Sequence, residues 1–440
     1  MVAPVLLETV MRGYFRYGKV TLIDARGARH PICNFDGPTV ILRVSDALTA
    51  AKLALATSRH WGEAYMDGRL LIEQGSLSDF LEIHSKSKQL QGRGWLSECQ
   101  RLIYGLTAAA RHYNPAARAR KNVAHHYDLS AELYDSFLDA DRQYSCAYFV
   151  NGDEDIDTAQ LLKKRHIAAK LDIKPGMKIL DIGSGWGGMG LYLARHLNCE
   201  VHGVTLSEEQ HKISNRRVRE AGLEDRVHFE LRDYRDLHDG YDRIVSVGML
   251  EHVGQFHYGE YFNSLRALLK TDGVALVHSI ARNNRPRPIN SWMNRYVFPG
   301  AYLPSASQLS RAIEKNGLWL ADLENLRIHY AQTLQLWYQR FQKNRESIAQ
   351  LYDERFCRMW EMYLLGCEMV FRYEDISVFQ LQICRDINAL PITRDYISNA
   401  ERRLASIDSA SITRIRRDQA SLEKQQCGRA MEEVDRKFRA

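Results

Sequence analysis

The chain has few of the residues that metal sites and disulfide frameworks require. Its 440 residues include eight cysteines, which are scattered and form neither a CxxC pair nor a Cys/His spacing suited to zinc. We therefore expect no metal site. We also expect most of the cysteines to serve as small buried hydrophobic residues in a reducing compartment, the cytoplasm.

Long hydrophobic runs are also missing. No apolar stretch approaches the roughly 20 residues that span a bilayer. The N-terminal segment MVAPVLLETVMRGYF lacks a basic leading region and a small-residue cleavage site. We therefore predict neither a transmembrane helix nor a signal peptide.

A strong net charge is absent as well, since the formal charge is only +6. Basic residues are concentrated at 111–127 and 411–419, and such runs usually form solvated faces. They also suit an anionic phospholipid surface or a nucleic acid. Because no nucleic-acid-binding motif accompanies them, nucleic acid is the weaker candidate.

The chain is long enough for two domains. In residues 1–90, the short strands KVTLID and TVILRVS precede one helix, SDALTAAKLALATSRHWGEAYMDG, with Ser45 or Asp46 near its N-cap. This pattern predicts a smaller N-terminal α+β domain. The polar stretch HSKSKQLQGRGWLSE begins a linker that we place at residues 91–120.

Between residues 160 and 280, apolar strands alternate with amphipathic helices. The strands are KILDIG, CEVHGVTL, RVHFELRD, YDRIVSVGML and VALVHSI. This alternation predicts an α/β fold with a parallel, doubly wound sheet, in which ligands bind at the carboxyl ends of the strands. Residues 285–400 interrupt the pattern with helices rich in Trp, Tyr and Met. Residues 401–440 predict a charged helical tail that frays or lies on the surface.

A glycine-rich turn, LDIGSGWGGMG, joins the first of these strands to a helix. Its glycines allow a ligand to approach the backbone at a helix N-terminus, but read as Gly183, Gly185 and Gly188 they also fit a dinucleotide-binding loop. Two features favour S-adenosylmethionine over a nicotinamide. Asp181 precedes the first glycine by two residues, as in the methyltransferase form of the loop. The next strand ends at Thr205, with no acidic residue there to hold the ribose of NAD.

His278 lies within the apolar strand LVHSI. A buried histidine in such a strand is most often structural, with a hydrogen bond to a backbone carbonyl. The alternative is a functional imidazole near the carboxyl end of its strand, where ligands of such sheets bind.

The chain resembles the cyclopropane fatty acid synthase family. Six segments carry the resemblance, in the order and at the spacing of that family: YSCAYF (144–149), LDIGSGWGG (180–188), VTLSEEQ (204–210), RIVSVGMLEHVG (243–254), LVHSI (276–280) and YVFPGAYLPS (296–305). It runs from about residue 10 to 400, includes GEAYMDG at 62–68, and leaves the tail beyond 405 uncovered. Ser184 stands where many relatives have a cysteine.

The resemblance implies a Rossmann-like, S-adenosylmethionine-dependent methyltransferase fold. It also implies methylene transfer to the cis double bond of unsaturated acyl chains in membrane phospholipids, with bicarbonate as the proton-accepting base. The implied partners are the phospholipid bilayer and a second copy of the chain, in a homodimer that lies peripherally at the inner face of the membrane. The N-terminal domain would engage the bilayer.

The resemblance also assigns site residues. The residues implied at the bicarbonate site are Cys146, Glu251, His278, Ile280 and Tyr338. The residues implied at the cofactor site are Tyr144, Ser145, Asp181, Gly183, Gly185, Gly187, Thr205, Gln210, Asp233 and Tyr234. The expected lining of an acyl channel is Trp292, Tyr296, Phe298 and Pro299. Taken singly, Cys146 could serve only in packing, Tyr338 in a helix core and Glu251 as a helix cap.

Three other functions stay open at this point. A related enzyme could leave a methyl branch instead of closing a ring. An N-methyltransferase could act on a small amine, and a lipid-binding protein could carry a degenerate catalytic domain.

Overall fold

The computed structural model of the chain describes residues 2–55, 58–91, 129–284 and 286–409. The strands up to residue 91 are β1 (Lys19–Ile23), β2 (Arg29–Asn34), β3 (Thr39–Val44) and β4 (Leu70–Gln74). The helices of this part are Val2–Tyr14, Ala47–Ala54, Ser58–Met66 and Leu77–Gln91. The strands form one sheet in the order β2-β1-β3-β4, in which only the β1–β3 pair is parallel.

The N-terminal part has its own hydrophobic core. Alternate residues of β3 (Val40, Leu42 and Val44) are buried, as expected for a strand with one face on the core. Leu7 from the first helix packs into the same cluster. Asp46 is the N-cap of the second helix, because its carboxylate accepts a hydrogen bond from the Thr49 amide at 2.7 Å.

Two predictions for this part were wrong. The single helix predicted after Ser45 is two helices, Ala47–Ala54 and Ser58–Met66. Residues 84–91 of the polar stretch predicted as the start of a linker belong to the helix Leu77–Gln91, which buries Leu77, Phe80 and Ile83 along one face. The rest of the predicted linker, from residue 92 to 120, lies outside the described residues.

The larger part of the chain is built on a seven-stranded sheet. Its strands are β5 (Lys178–Ile182), β6 (Glu200–Thr205), β7 (Val227–Leu231), β8 (Tyr241–Val247), β9 (Leu269–Arg282), β10 (Trp319–Asn325) and β11 (Ile376–Cys384). Its α-helices are Ala131–Phe137, Ile156–Lys170, Gly188–Leu197, Glu208–Ala221, Tyr258–Leu268, Ser291–Tyr296, Ala306–Lys315, His329–Lys343, Arg345–Leu351, Glu354–Tyr373 and 395–409. The strand order is β10-β11-β9-β8-β5-β6-β7.

Strands β5 to β9 form the parallel, doubly wound sheet that the sequence predicts, and the order reverses between β5 and β8. The sheet as a whole is mixed, because β11 pairs antiparallel with β9 and β10 antiparallel with β11. Both of these strands come from residues 285–400. The segment predicted to interrupt the strand–helix pattern therefore also completes the sheet.

The start of the predicted tail is not a free surface helix. Leu404 and Asp408 are buried, and Asp408 accepts a hydrogen bond from Arg165 at 2.8 Å. This part of the helix 395–409 therefore packs against the helix Ile156–Lys170 and the hydrophobic core on one face of the seven-stranded sheet. Residues 410–440 lie outside the described residues.

The described cysteines are free thiols, and four of the six (Cys146, Cys199, Cys357 and Cys384) are buried. Their predicted use as small hydrophobic residues is confirmed for these four. Within the described ranges, no helix combines the length and apolar character needed to cross a bilayer. In the same ranges, no group of three His, Cys, Asp or Glu side chains could hold a metal ion.

The two parts of the protein meet at Gly62. A Cβ at this position would lie 2.3 Å from the indole of Trp292, which is buried and donates a hydrogen bond to Met66 Sδ at 3.2 Å. We predict that Gly62→Ala lowers the free energy of unfolding by about 1–3 kcal/mol, because the packed indole must move. Urea denaturation measures this change.

Gly13→Ala is the matched control, since a Cβ there meets nothing within 4 Å. It should leave stability unchanged or raise it by up to about 1 kcal/mol, the gain expected for alanine in a helix. Equal effects of the two substitutions would show that the contact between Gly62 and Trp292 contributes nothing.

Candidate active site

A cleft opens at the carboxyl ends of β5, β6 and β8, beside the point where the strand order reverses. The glycine turn forms one wall. Gly183, Gly185 and Gly187 adopt φ values of 77°, 54° and 81°, in the left-handed region that glycine adopts without strain. A Cβ on Gly185 would meet nothing within 4 Å. The space in front of this glycine is therefore open to a ligand.

Six of the ten predicted cofactor residues line this cleft. They are Gly183, Gly185, Thr205, Gln210, Asp233 and Tyr234. Thr205 donates a hydrogen bond to Gln210 Oε1 at 2.9 Å, which fixes the two side chains against each other. The carboxylate of Asp233 is bound by the Arg235 guanidinium at 2.7 Å.

The other four predicted cofactor residues lie elsewhere. Gly187 is the N-cap of the helix Gly188–Leu197. Asp181 is buried within β5, and its burial raises the pKa of its carboxyl to about 7. Tyr144 Oη lies 2.7 Å from Tyr363 Oη. Ser145 accepts a hydrogen bond from a buried lysine, described below.

Residues after β8 were missed as lining of the cleft. Gly248, Met249 and His252 contribute to it, and burial lowers the pKa of His252 to about 4. Of the segment VGMLEHVG, only Glu251 had been assigned to the site. The rule that ligands bind at strand carboxyl ends applies to β8 as much as to β5, and could have found these residues.

A second group of polar residues lies beside the cleft, at the ends of β8 and β9. Glu251 Oε1 accepts a hydrogen bond from the Ile280 amide at 2.6 Å. Glu251 Oε2 and His278 Nε2 are buried and have no hydrogen-bond partner among the described residues. His278 and Ile280 are two residues apart on one strand and therefore face the same side of the sheet.

The protonation states of this group follow from burial. It raises the pKa of Glu251 to about 7 and, together with the positive charge of Lys163, lowers the pKa of His278 well below its ordinary value. The resemblance implies that Ile280 belongs to the bicarbonate site. In the structure its backbone amide donates to Glu251, so Ile280 positions that carboxyl group.

The remaining two predicted catalytic residues belong to the surrounding apolar cluster. Cys146 is buried in it, which raises the pKa of its thiol, and Tyr338 packs against it from the helix His329–Lys343. Ile280 packs against the same cluster. The structure thus joins Glu251 to Ile280, which lies two residues from His278 on β9, and packs Ile280 against the same apolar cluster as Cys146 and Tyr338.

Aromatic side chains make up much of this cluster. Phe137, Trp337 and Trp360 are fully buried in it. Of the expected channel residues, Phe298 packs 5.7 Å from the Tyr363 ring, and Tyr296 donates a hydrogen bond to Glu63 in the N-terminal part at 2.8 Å. The site is therefore bordered by a large apolar region.

Lys163 is the main residue that sequence reasoning missed. It is fully buried, and its ammonium donates to Gln143 Oε1 at 2.6 Å and to Ser145 Oγ at 2.8 Å. Its charge also acts on Cys146 and His278. The signal was present, because Lys163 falls on the buried stripe of the helix Ile156–Lys170 at helical spacing from Ala159 and Ile167.

Comparison with known proteins places the chain in a family. The model of the family "Mycolic acid cyclopropane synthetase" matches residues 115–381. The cyclopropane-fatty-acyl-phospholipid synthase of Escherichia coli (strain K12) is 41% identical over 290 residues, which cover 65% of this chain and 74% of that protein. The chain belongs to this cyclopropane synthase family.

Two further comparisons agree with this cyclopropane synthase assignment. A probable fatty acid methyltransferase of Pseudomonas putida is 34% identical over 357 residues, covering 78% of this chain and 86% of that protein. The crystal structure of the mycolic acid cyclopropane synthase CmaA1, complexed with SAH and CTAB, superposes with a TM-score of 0.58 at 32% identity. It covers 61% of this chain and 98% of that one. The resemblance and the fold of an S-adenosylmethionine-dependent methyltransferase are thereby confirmed, and the chain is an enzyme of this class.

The buried lysine of this cyclopropane synthase homologue predicts a pH effect on stability. Burial lowers the pKa of Lys163 from 10.5 to about 8. Between these values the unfolded chain binds more protons than the folded chain, so folding is favoured increasingly as pH rises. We predict that Lys163→Met removes a stabilisation on the order of 2–3 kcal/mol that the native chain gains between pH 8 and 10.

Chemical denaturation at several pH values measures this difference. Lys164→Met is the matched control, because Lys164 is the next residue of the same helix and pairs with Asp141. Lys164→Met should preserve the native slope of the free energy of unfolding against pH. If the slopes for Lys163→Met and the native chain are identical, Lys163 is charged in the folded state up to pH 10.

Proposed function

We propose that the chain transfers a methylene group from S-adenosylmethionine to the cis double bond of unsaturated acyl chains in membrane phospholipids, with bicarbonate as the proton-accepting base. The observation that carries this proposal is the pair of buried, unpartnered polar atoms, Glu251 Oε2 and His278 Nε2, beside the glycine-loop cleft and an aromatic cluster. The names of the relatives support the substrate class.

The residues of the cleft fit S-adenosylmethionine. Gly183 and Gly185 leave space for a ligand against the backbone, and the helix that starts at Gly188 offers its N-terminal amides. Thr205 supplies a hydroxyl group and Gln210 a side-chain amide at the carboxyl end of the neighbouring strand β6. The relative whose crystal structure contains SAH supports the same assignment.

The residues of the second group fit a small anion. When bound, S-adenosylmethionine supplies an electrophilic methyl group and bicarbonate takes up the proton released from it. His278 Nε2 and the Tyr338 hydroxyl can donate hydrogen bonds to such an anion. A carboxylate would repel it, but with a pKa of about 7 Glu251 can hold a proton and donate as well. The apolar cluster excludes water, so that a carbocation on the acyl chain survives until the ring closes.

The principal alternative is methyl branching of the acyl chain by a related reaction. The name of the Pseudomonas putida relative, a probable fatty acid methyltransferase, fits either outcome. A saturated methyl branch would need a hydride donor as a further co-reactant, whereas ring closure needs only a proton acceptor next to the transferred methyl group, which an anion held by Glu251 and His278 would supply.

Residues 1–90 are proposed to engage the bilayer. Val5, Leu6, Leu48 and Leu55 are exposed apolar residues on two helices that pack together. Surface leucine and valine side chains of this kind can insert among lipid headgroups. A peripheral position at the inner face of the membrane, a homodimer and an acyl channel in residues 285–400 complete the proposal.

The first test of this proposal concerns the cofactor. Gly185→Val should abolish binding of S-adenosylmethionine in calorimetry, because a branched side chain would occupy the open space of the cleft. Gly222→Val controls for backbone strain. Gly222 has a similar φ of 62° and open surroundings. It follows the end of the helix Glu208–Ala221, about 20 Å along that helix from the end that lies at the cleft. Equal affinity of the Gly185 variant and the native chain would place the cofactor elsewhere.

The second test concerns the product. Expression in a host that lacks such an enzyme should give membrane lipids that gain one CH₂ and lose the alkene, as measured by mass spectrometry. Glu251→Gln should reduce this conversion by about 10²–10⁴, the usual effect of losing a positioned acid–base group. Purified native enzyme depleted of bicarbonate should regain activity when bicarbonate is restored. A branched saturated chain would contradict ring closure, and activity independent of bicarbonate would contradict the assigned base.

A further inference from the structure

A row of three buried polar side chains runs behind the candidate active site. Lys170 Nζ donates to Gln380 Oε1 at 2.9 Å, and Gln380 Nε2 lies 3.2 Å from His278 Nδ1. The three side chains are at most 2% exposed. Gln380 stands directly opposite His278 in the antiparallel pairing of β11 with β9, so their side chains share one face of the sheet.

The chemistry of Lys170 fixes the direction of every hydrogen bond in this row. An ammonium group has donors only, so the Gln380 atom that it contacts must be the carbonyl oxygen. The Gln380 amide nitrogen then faces His278 and must donate. His278 Nδ1 must accept, which means that it carries no proton.

The charges around the row keep the imidazole neutral. Burial and the positive charges of Lys163 and Lys170 lower the pKa of His278 well below its ordinary value. Lys170 is itself held by Glu324, whose pKa is lowered to about 2 by hydrogen bonds and charge from His166 and Lys170, although burial opposes this. A neutral imidazole with an unprotonated Nδ1 carries its single proton on Nε2.

We propose that Lys170 and Gln380 are positioning residues that hold His278 as the tautomer protonated on Nε2, so that His278 donates to the reacting site and does not act as its base. This inference rests on the proposed function for the identity of the group that accepts the hydrogen bond. It explains why His278 Nε2 is buried and without a partner among the described residues. Proton uptake then falls to the anion or to Glu251.

The chain offers a matched pair of variants. Gln380 and Gln382 lie on the same strand and are both buried, but Gln382 donates to the Lys170 backbone carbonyl and to Tyr396. Gln380→Met removes the donor to His278, and Gln382→Met removes an equally buried amide that does not contact it. Gln380→Glu replaces the donor by an acceptor and should move the proton of His278 to Nδ1.

The direct measurement is nitrogen NMR of the full chain with ¹⁵N-labelled histidine, in which the His278 signals are assigned by their loss in His278→Asn. We expect the native enzyme and Gln382→Met to show a neutral ring protonated on Nε2. Gln380→Glu should show protonation of Nδ1. Turnover should fall by at least about ten-fold in Gln380→Met and Gln380→Glu, because loss of the hydrogen bond that orients a functional histidine usually has an effect of this size. The affinity for S-adenosylmethionine should be unchanged.

Two results would overturn the inference. One is a native His278 that is protonated on Nδ1 or on both nitrogens. The other is Gln380→Met with the native tautomer and native turnover. Either result leaves methylene transfer by the native enzyme intact, whereas absence of the cyclopropane product with the expected tautomer would refute the proposed function alone.

Discussion

The structure depends on the need to balance the basic side chains that one helix carries into the interior. Lys163, His166 and Lys170 are among the buried residues of the helix Ile156–Lys170. An uncompensated buried charge costs several kcal/mol, so each of them requires a partner that the rest of the fold must supply. The loop before this helix supplies Gln143 and Ser145 for Lys163.

The partners of the other two come from the last parts of the chain. Glu324 of β10 binds both His166 and Lys170, Gln380 of β11 accepts from Lys170, and Glu401 of the helix 395–409 binds His166 at 2.6 Å. Strands β10 and β11 and the helix 395–409 are therefore linked to the centre of the fold by the same helix that supports the candidate active site. Because His278 contacts Gln380, compensation of these charges and the chemistry of the site share one network.

The sequence predicted what depends on local pattern. The turns and the alternation of strands with helices from β5 to β9 predicted the doubly wound sheet, and the glycine turn predicted the cleft. β10 and β11 were missed because WLADLEN and ISVFQLQIC carry polar residues whose partners lie elsewhere in the fold, such as Gln380 beside Lys170. The early part of the tail was misjudged for the same reason, since its acidic side chains appear solvated until Arg165 and His166 are placed beside them.

The resemblance named the residues of the site but not the bonds between them. It could not distinguish an Ile280 amide that is free from one that is committed to Glu251, because that depends on where the turn Leu250–His252 after β8 places the Glu251 side chain. The commitment matters for the chemistry. It occupies one oxygen of Glu251 and leaves the other, on a carboxyl group with a pKa of about 7, buried and without a hydrogen-bond partner among the described residues, like His278 Nε2.

A donor on one side and a carboxyl group that can hold or release a proton on the other would suit an anion that must itself accept a proton. A positive charge on the substrate would be stabilised by that anion and shielded from water by the aromatic cluster. Under the proposed function, this arrangement would favour ring closure, because the anion that balances the carbocation would also remove the proton that allows the ring to form.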